Sequence, residues 1–223
     1  MPEWNYGDAY KRHPIAENEI AVFENGGMVK VHDIFNPLPA FMAKADLIFT
    51  DPPWSQGNMT SFYTKADQDN YHRYGDFVRR LFECVGKISP VACYLEVGKD
   101  SLSDFIQNMK KLYPHVTFFN STYYRKKENL CYVVRGGRKG GWTKLDGKDE
   151  EDIIAWICQN EDYDCIGDLC IGRGLVAKYA HRRQFVGTEL NHKRLSVLLE
   201  NMTEAGLGYL KIKESEYVIL NRR

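Results

Sequence analysis

Two consecutive prolines at the end of an apolar run, in Leu47-Ile48-Phe49-Thr50-Asp51-Pro52-Pro53-Trp54, restrict the path of this chain more tightly than any other feature. Residues 46–50 are β-prone and nearly all apolar, as expected of a central parallel strand covered on both faces. Proline has no N–H to donate to a ladder, so pairing stops there. The chain therefore leaves the sheet at Asp51, at the carboxyl end of a strand, where open α/β sheets keep their ligands. Trp54 adds a wide π face one step further on. A carboxylate and the main-chain carbonyl of Asp51 or Pro52 can together accept both hydrogens of an exocyclic amine, while a ring stacks on the attached base. An aryl amine is a poor nucleophile because its lone pair is delocalised; two acceptors drawing on its hydrogens move the nitrogen towards a tetrahedral, nucleophilic geometry. The plainer alternative is a strand followed by an ordinary Pro-Pro turn.

A second constellation lies far along the chain. Residues 166–175, Ile-Gly-Asp-Leu-Cys-Ile-Gly-Arg-Gly-Leu, read as a short strand, a Gly-x-Gly turn and the start of a helix that runs to about His181. Gly172 and Gly174 let the backbone approach a ligand closely. A second strand follows, 184–190, with Glu189 near its carboxyl end, where a carboxylate can accept from both ribose hydroxyls. Strand, turn, helix, strand and acid in this order favour a nucleotide-type cofactor over a tight turn with a surface glutamate.

Asp51-Pro52-Pro53-Trp54 resembles motif IV of the amino-methyltransferases, which methylate adenine N6 or cytosine N4. Asp168 to Gly174 resembles motif I, the S-adenosylmethionine loop, and Glu189 the ribose ligand of motif II. Motif IV comes first and motif I last, an order similar to that of the circularly permuted β class of DNA amino-methyltransferases. The resemblance implies an α/β, Rossmann-like methyltransferase fold, with a mostly parallel seven-stranded sheet, helices on both faces and S-adenosylmethionine as cofactor. It implies catalytic roles for Asp51, Pro52, Pro53 and Trp54. It implies cofactor contacts from Asp33, Asp51, Asp168, Cys170, Gly172, Gly174, Glu189 and Leu190. An Asp at the head of motif IV leans towards adenine, and DNA is the leading substrate. RNA is the alternative, because the eukaryotic messenger-RNA family also has the Trp; a cofactor-binding subunit that needs a partner is a third.

Other segments fit the same order. Residues 28–34 form a short strand ending near Asp33. Helical spacing is expected over 71–85 and 102–112, strands over 91–97, 116–124 and 130–134, and a short helix over 152–159. Residues 55–74 are polar and aromatic and read as a loop, either a mobile lid or a plain surface segment. Arg125, Lys126, Lys127, Arg135, Arg138 and Lys139 alternate with tyrosines, glycines and Trp142, a pattern that suits a phosphate backbone with stacked bases as well as a solvated hairpin.

With 223 residues and 43% hydrophobic content, the chain is expected to form a single methyltransferase domain over 1–223. Lys and Arg number 30 against 30 Asp and Glu, so the overall positive charge common in unaided nucleic-acid binders is missing. Only about residues 136–151 are available where the β class carries a target-recognition region, so specificity must come from short loops, a homodimer or a partner specificity subunit. The six cysteines show no metal spacing and read as core thiols. His32 and His181 read as capped or solvated, and no metal is expected. No apolar stretch has the length of a signal or a membrane span, and a cytoplasmic location is the expectation.

Overall fold

The computed structural model describes residues 6–140 and 144–220. Its strands are β1 (Glu19–Phe23), β2 (Met28–Val31), β3 (Leu47–Thr50), β4 (Ala92–Val97), β5 (His115–Thr122), β6 (Leu130–Gly137), β7 (Lys148–Asp149), β8 (Cys165–Asp168), β9 (Gln184–Glu189) and β10 (Tyr209–Lys213). Its helices are α1 (Ala9–Arg12), α2 (Gln56–Lys65), α3 (Tyr74–Ile88), α4 (Leu102–Leu112), α5 (Glu150–Asn160), α6 (Leu175–Ala180), α7 (His192–Glu204) and α8 (Glu214–Leu220). One mixed sheet runs β10-β1-β2-β9-β8-β3-β4-β6-β5-β7. From β2 to β4 the five central strands are parallel, and β6 runs against them.

The sheet has ten strands among the described residues where seven are expected. The additions are marginal strands at the two edges. β1 and β10 pair antiparallel beside β2, and two-residue β7 lies on β5. Every residue of β10 is at least partly exposed, so it lacks the apolar pattern by which a buried strand is read.

β2, β3, β4 and β8 are buried along their whole length and β9 in all but Gln184, which requires cover on both faces. On one face α3 presents Phe77, Val78, Leu81, Phe82 and Val85, joined by Phe105 and Met109 of α4 and by Met59 and Tyr63 of α2. On the other lie Ile153, Ile154 and Ile157 of α5, Val176 and Ala177 of α6, and Leu195, Leu198 and Leu199 of α7. α3 stops at Ser89, in the left-handed region at φ 57°, just before Pro90.

Residues 55–74 are not a loop throughout. Ser55 caps α2, its Oγ accepting from the Asn58 N–H at 3.2 Å. Met59 and Tyr63 stand four residues apart, so one apolar side docks while the polar majority of the helix faces out. Among the described residues, no helix is long and apolar enough to cross a membrane. All six cysteines are free, five of them buried.

Candidate active site

Parallel strands end on the same edge of a sheet, and here four of them deliver acids to it. Asp51 follows β3, Glu96 lies near the end of β4, Asp168 closes β8 and Glu189 closes β9. Together with α2, the start of α5 and the β5–β6 turn they line a cleft of about 480 Å³, within the usual size of small-molecule sites. Asp33, Pro52, Pro53, Trp54, Cys170, Gly172 and Leu190 also face it. Gly174 lies just behind, packed on Leu198.

Thr50 joins the two motifs. Its buried hydroxyl donates to Asp168 Oδ1 and accepts from the N–H groups of Leu169 (2.9 Å) and Cys170 (3.1 Å). The end of β3 is thereby fastened to the turn after β8, although 118 residues separate Thr50 from Asp168 in sequence. Burial pushes Asp168 up to about 7, against the Thr50 hydroxyl and the Cys170 N–H, which hold it down.

The glycine turn is shaped by two left-handed residues, Gly172 at φ 56° and Gly174 at φ 87°. A Cβ on Gly174 would stand 2.6 Å from the Leu198 side chain, and one on Gly172 would stand 2.8 Å from the Arg194 guanidinium. Glu189 ties this turn to β9. Its Oε2 accepts from the Gly172 N–H and its Oε1 from the Asn191 N–H, both at 2.9 Å, and each oxygen keeps a lone pair for a ligand. Asp33 accepts from the Phe35 N–H (3.0 Å) and the Tyr63 hydroxyl (2.9 Å), so α2 is bonded directly to the cleft wall.

Trp54 does more than offer a ring face. Its Nε1–H donates to Asp51 Oδ1 at 2.9 Å, orienting the carboxylate, and its carbonyl accepts from Ser101 Oγ at 2.7 Å. The ring packs on Gly98 and meets Tyr123 edge-on at 5.4 Å. The Pro53 carbonyl accepts from the Tyr74 hydroxyl at 3.0 Å. Asp51 itself opens into the cleft but is walled in by protein, and this desolvation pushes its pKa up to about 6, with Trp54 and Arg194 opposing.

Sequence reasoning missed three residues here: two line the cleft and the third is buried behind it. Glu96 is buried, and Glu150, the first residue of α5, lies over it; oxygens of Asp51, Glu96 and Glu150 all come within 4.8 Å of one another. Glu96 is a lone acid near the carboxyl end of an otherwise apolar strand, a signal that the sequence carries and that went unread. Glu150 is lost in the run Asp149 to Asp152, which reads as a solvated helix start. The third is Thr50. His32, expected to be capped or solvated, lines the cleft with Nε2 buried and without a hydrogen-bond partner among the described residues. Burial pushes it down to about 4, so its ring is neutral.

The basic residues do not form one surface. Arg125, Lys126 and Lys127 are exposed in the β5–β6 turn at the cleft edge, beside Tyr123 and Tyr124. Tyr124 and Arg125 both sit at positive φ, 58° and 54°, held by Asp149 accepting from the Arg125 N–H at 2.7 Å. Arg138 and Lys139 follow the other end of β6, roughly 25 Å away at about 3.3 Å per residue. There the Arg138 N–H donates to the Val91 carbonyl. Arg135 corrects the expectation of a phosphate contact. It is 8% exposed, its Nε–H donates to the Tyr94 hydroxyl at 2.8 Å, and its guanidinium lies 3.5 Å from Glu161. Strand alternation places it on the face that α5 covers. Trp142 lies outside the described residues.

No family model and no curated protein matches the chain. Solved structures do. A protein named as a DNA modification methylase from Thermus thermophilus, complexed with S-adenosyl-L-methionine, superposes with TM-score 0.55 at 13% identity over 79% of this chain and 93% of that one. The M1.HpyAVI complex with S-adenosylmethionine gives 0.54 at 13%, over 78% and 98%. PvuII DNA methyltransferase, cytosine-N4-specific, gives 0.53 at 11%, over 91% and 93%. The chain has a Rossmann-type fold like that of the DNA methyltransferases.

Proposed function

We propose that this chain is an S-adenosylmethionine-dependent amino-methyltransferase acting on N6 of adenine in DNA, of the circularly permuted β class. The observation that carries the reading is Asp51, oriented by Trp54 and joined through Thr50 to the glycine turn after β8. That arrangement sets an amine acceptor beside a nucleotide-type cradle. β3 precedes β8 in the chain by more than a hundred residues yet pairs with it directly, which supports the permuted order.

The residues fit the cofactor. Gly172 lines the cleft in a left-handed turn tied to Glu189, which offers lone pairs at the strand end suited to ribose hydroxyls. Asp33, Cys170 and Leu190 line the same cavity. When bound, S-adenosylmethionine supplies a methyl group on a sulfonium, so the amine nitrogen forms its C–N bond as the S–C bond breaks and its proton leaves to solvent. Asp51, ionised above about pH 6, accepts from the amine and stabilises the positive charge that develops on nitrogen. From a duplex the base must flip out, at a cost of roughly a few kcal/mol. Exposed Tyr124, with Tyr123 behind it, offers stacking worth about 1–3 kcal/mol. Arg125, Lys126 and Lys127 meet the backbone.

Transfer of tritiated methyl to unmethylated DNA, with RNA as a parallel arm, tests the reading. Asp51→Ala is expected to abolish transfer and leave S-adenosylmethionine affinity within about threefold. No transfer to DNA with the wild type, alone or with a genetically linked partner, would remove the proposal. A second reading, a subunit active only with a partner, is favoured by the balanced charge of 30 against 30. Cofactor binding with turnover only after the partner is added would select it.

A further inference from the structure

The acidic floor of the cleft asks for an explanation that the methyl-donor side does not supply. β3 and β4 are parallel neighbours with Leu47 opposite Ala92 and Phe49 opposite Tyr94, so continuing the register sets Asp51 beside Glu96 on the face under α5. Glu96 is 1% exposed, it lines the cleft, and its Oε2 has no hydrogen-bond partner among the described residues. A buried carboxyl oxygen left unpaired is destabilising, and a suitable ligand would supply the missing partner.

We propose that Glu96, as a neutral carboxylic acid, reads the amidine edge of the acceptor base: its O–H donates to the ring nitrogen, and its second oxygen shares the exocyclic amine with Asp51. This inference rests on the amino-methyltransferase reading of the site and names the group that selects its substrate. Sharing one amine needs acceptors close together, since two of them about 2.9 Å from a planar NH2 and about 120° apart stand no more than roughly 5 Å from each other; the Asp51 and Glu96 oxygens, within 4.8 Å, meet that bound. A carboxylic acid presents a donor and an acceptor side by side, matching N1 and N6 of adenine, and equally N3 and N4 of cytosine.

Chemistry around Glu96 keeps the proton in place. Burial raises its pKa well above the usual carboxylate range, and the carboxylates of Asp51, Glu150 and Asp149 add to it, with the Cys131 thiol alone opposing among the named neighbours. Tyr123 also lies within electrostatic reach. The charge of the trio thus settles on Asp51, the acceptor the reaction needs.

Glu96→Gln is the decisive variant, because an amide keeps one donor and one acceptor without a titratable proton. Expected results are retained kcat/KM within about fivefold for Glu96→Gln, loss of tenfold or more for Glu96→Ala, and unchanged S-adenosylmethionine affinity in both by calorimetry. The alkaline fall in wild-type activity should vanish in Glu96→Gln, while the acid fall set by Asp51 stays. An oligonucleotide with 1-deazaadenine at the target should lose tenfold or more with the wild type and little further with Glu96→Ala. If Glu96→Ala does not fold, the deaza substrate alone decides, read on the wild type. An inactive Glu96→Gln, an unaffected deaza substrate, or activity that requires a divalent cation overturns the inference while leaving the methyltransferase reading intact. No transfer by the wild type to any nucleic acid overturns both.

Discussion

Thr50→Val isolates the joint between the two halves of the site. Valine has nearly the shape of threonine and is as much at home in a strand, so the change deletes a hydroxyl and little else. The Leu169 N–H then loses its acceptor inside the protein, at about 1–3 kcal/mol. Asp168 loses its O–H donor, while the Cys170 N–H keeps Asp168 Oδ1 at 2.9 Å. The two losses share a partner and are not additive. We expect about 2–4 kcal/mol less stability by urea unfolding, and a fall in Tm of roughly 4–16 °C, at about 2–4 °C per kcal/mol for a domain this size. The turn after β8 also loses its tie to β3, so S-adenosylmethionine affinity should drop about tenfold or more by calorimetry. Thr50→Ser keeps the hydroxyl and should recover most of both. A Thr50→Val protein within about 0.5 kcal/mol of wild type, with unchanged affinity, would refute the idea that this hydroxyl couples the motifs.

Other perturbations address separate parts of the structure. Gly174→Ala forces a Cβ into Leu198 at φ 87°, so it should cost about 1–3 kcal/mol and weaken cofactor binding, measured by thermal unfolding and calorimetry. Glu150, pushed up by burial to about 8 from 4.5, holds its proton more tightly folded than unfolded. Its contribution is therefore full below about pH 4.5 and lost as the pH rises through 8. Glu150→Gln should gain on the wild type between pH 5 and 9, by on the order of 1 kcal/mol, and a Tm difference that does not grow with pH would contradict this. Replacing Arg125, Lys126 and Lys127 by Ala should flatten the salt dependence of duplex binding by up to about 2–3 in slope, at roughly 0.9 per phosphate contact. Arg138→Ala with Lys139→Ala should leave it unchanged, since both sit at the far end of the sheet, and Arg135→Ala should cost stability instead.

The legible parts of the site were those tied to backbone chemistry. Prolines that cannot pair, glycines that adopt positive φ most readily, and acids at strand ends announce themselves in one dimension, and the structure brings Asp51, Asp168, Gly172 and Glu189 to one cleft. The helices over 74–88 and 102–112 were readable because each has a full apolar side. α2 was not, since its burial rests on Met59 and Tyr63 amid polar neighbours. β10 escaped because each of its residues is at least partly exposed and ladder bonds to β1 hold it, whereas β1, with Ile20, Ala21 and Phe23 buried, carried a readable apolar pattern that was not assigned to a strand.

The sequence by itself determined where strands must end and which residues at those ends can bind or accept, because backbone restrictions act locally. It could not say which ends meet. Thr50 with Asp168, and Asp51 with Glu96 and Glu150, are neighbours only through parallel pairing across the sheet, and period-two alternation then decides which side chains share a face. The same alternation turned Arg135 inward while the β5–β6 turn kept Arg125, Lys126 and Lys127 at the cleft. Basic residues that look alike along the chain were thus separated by register alone.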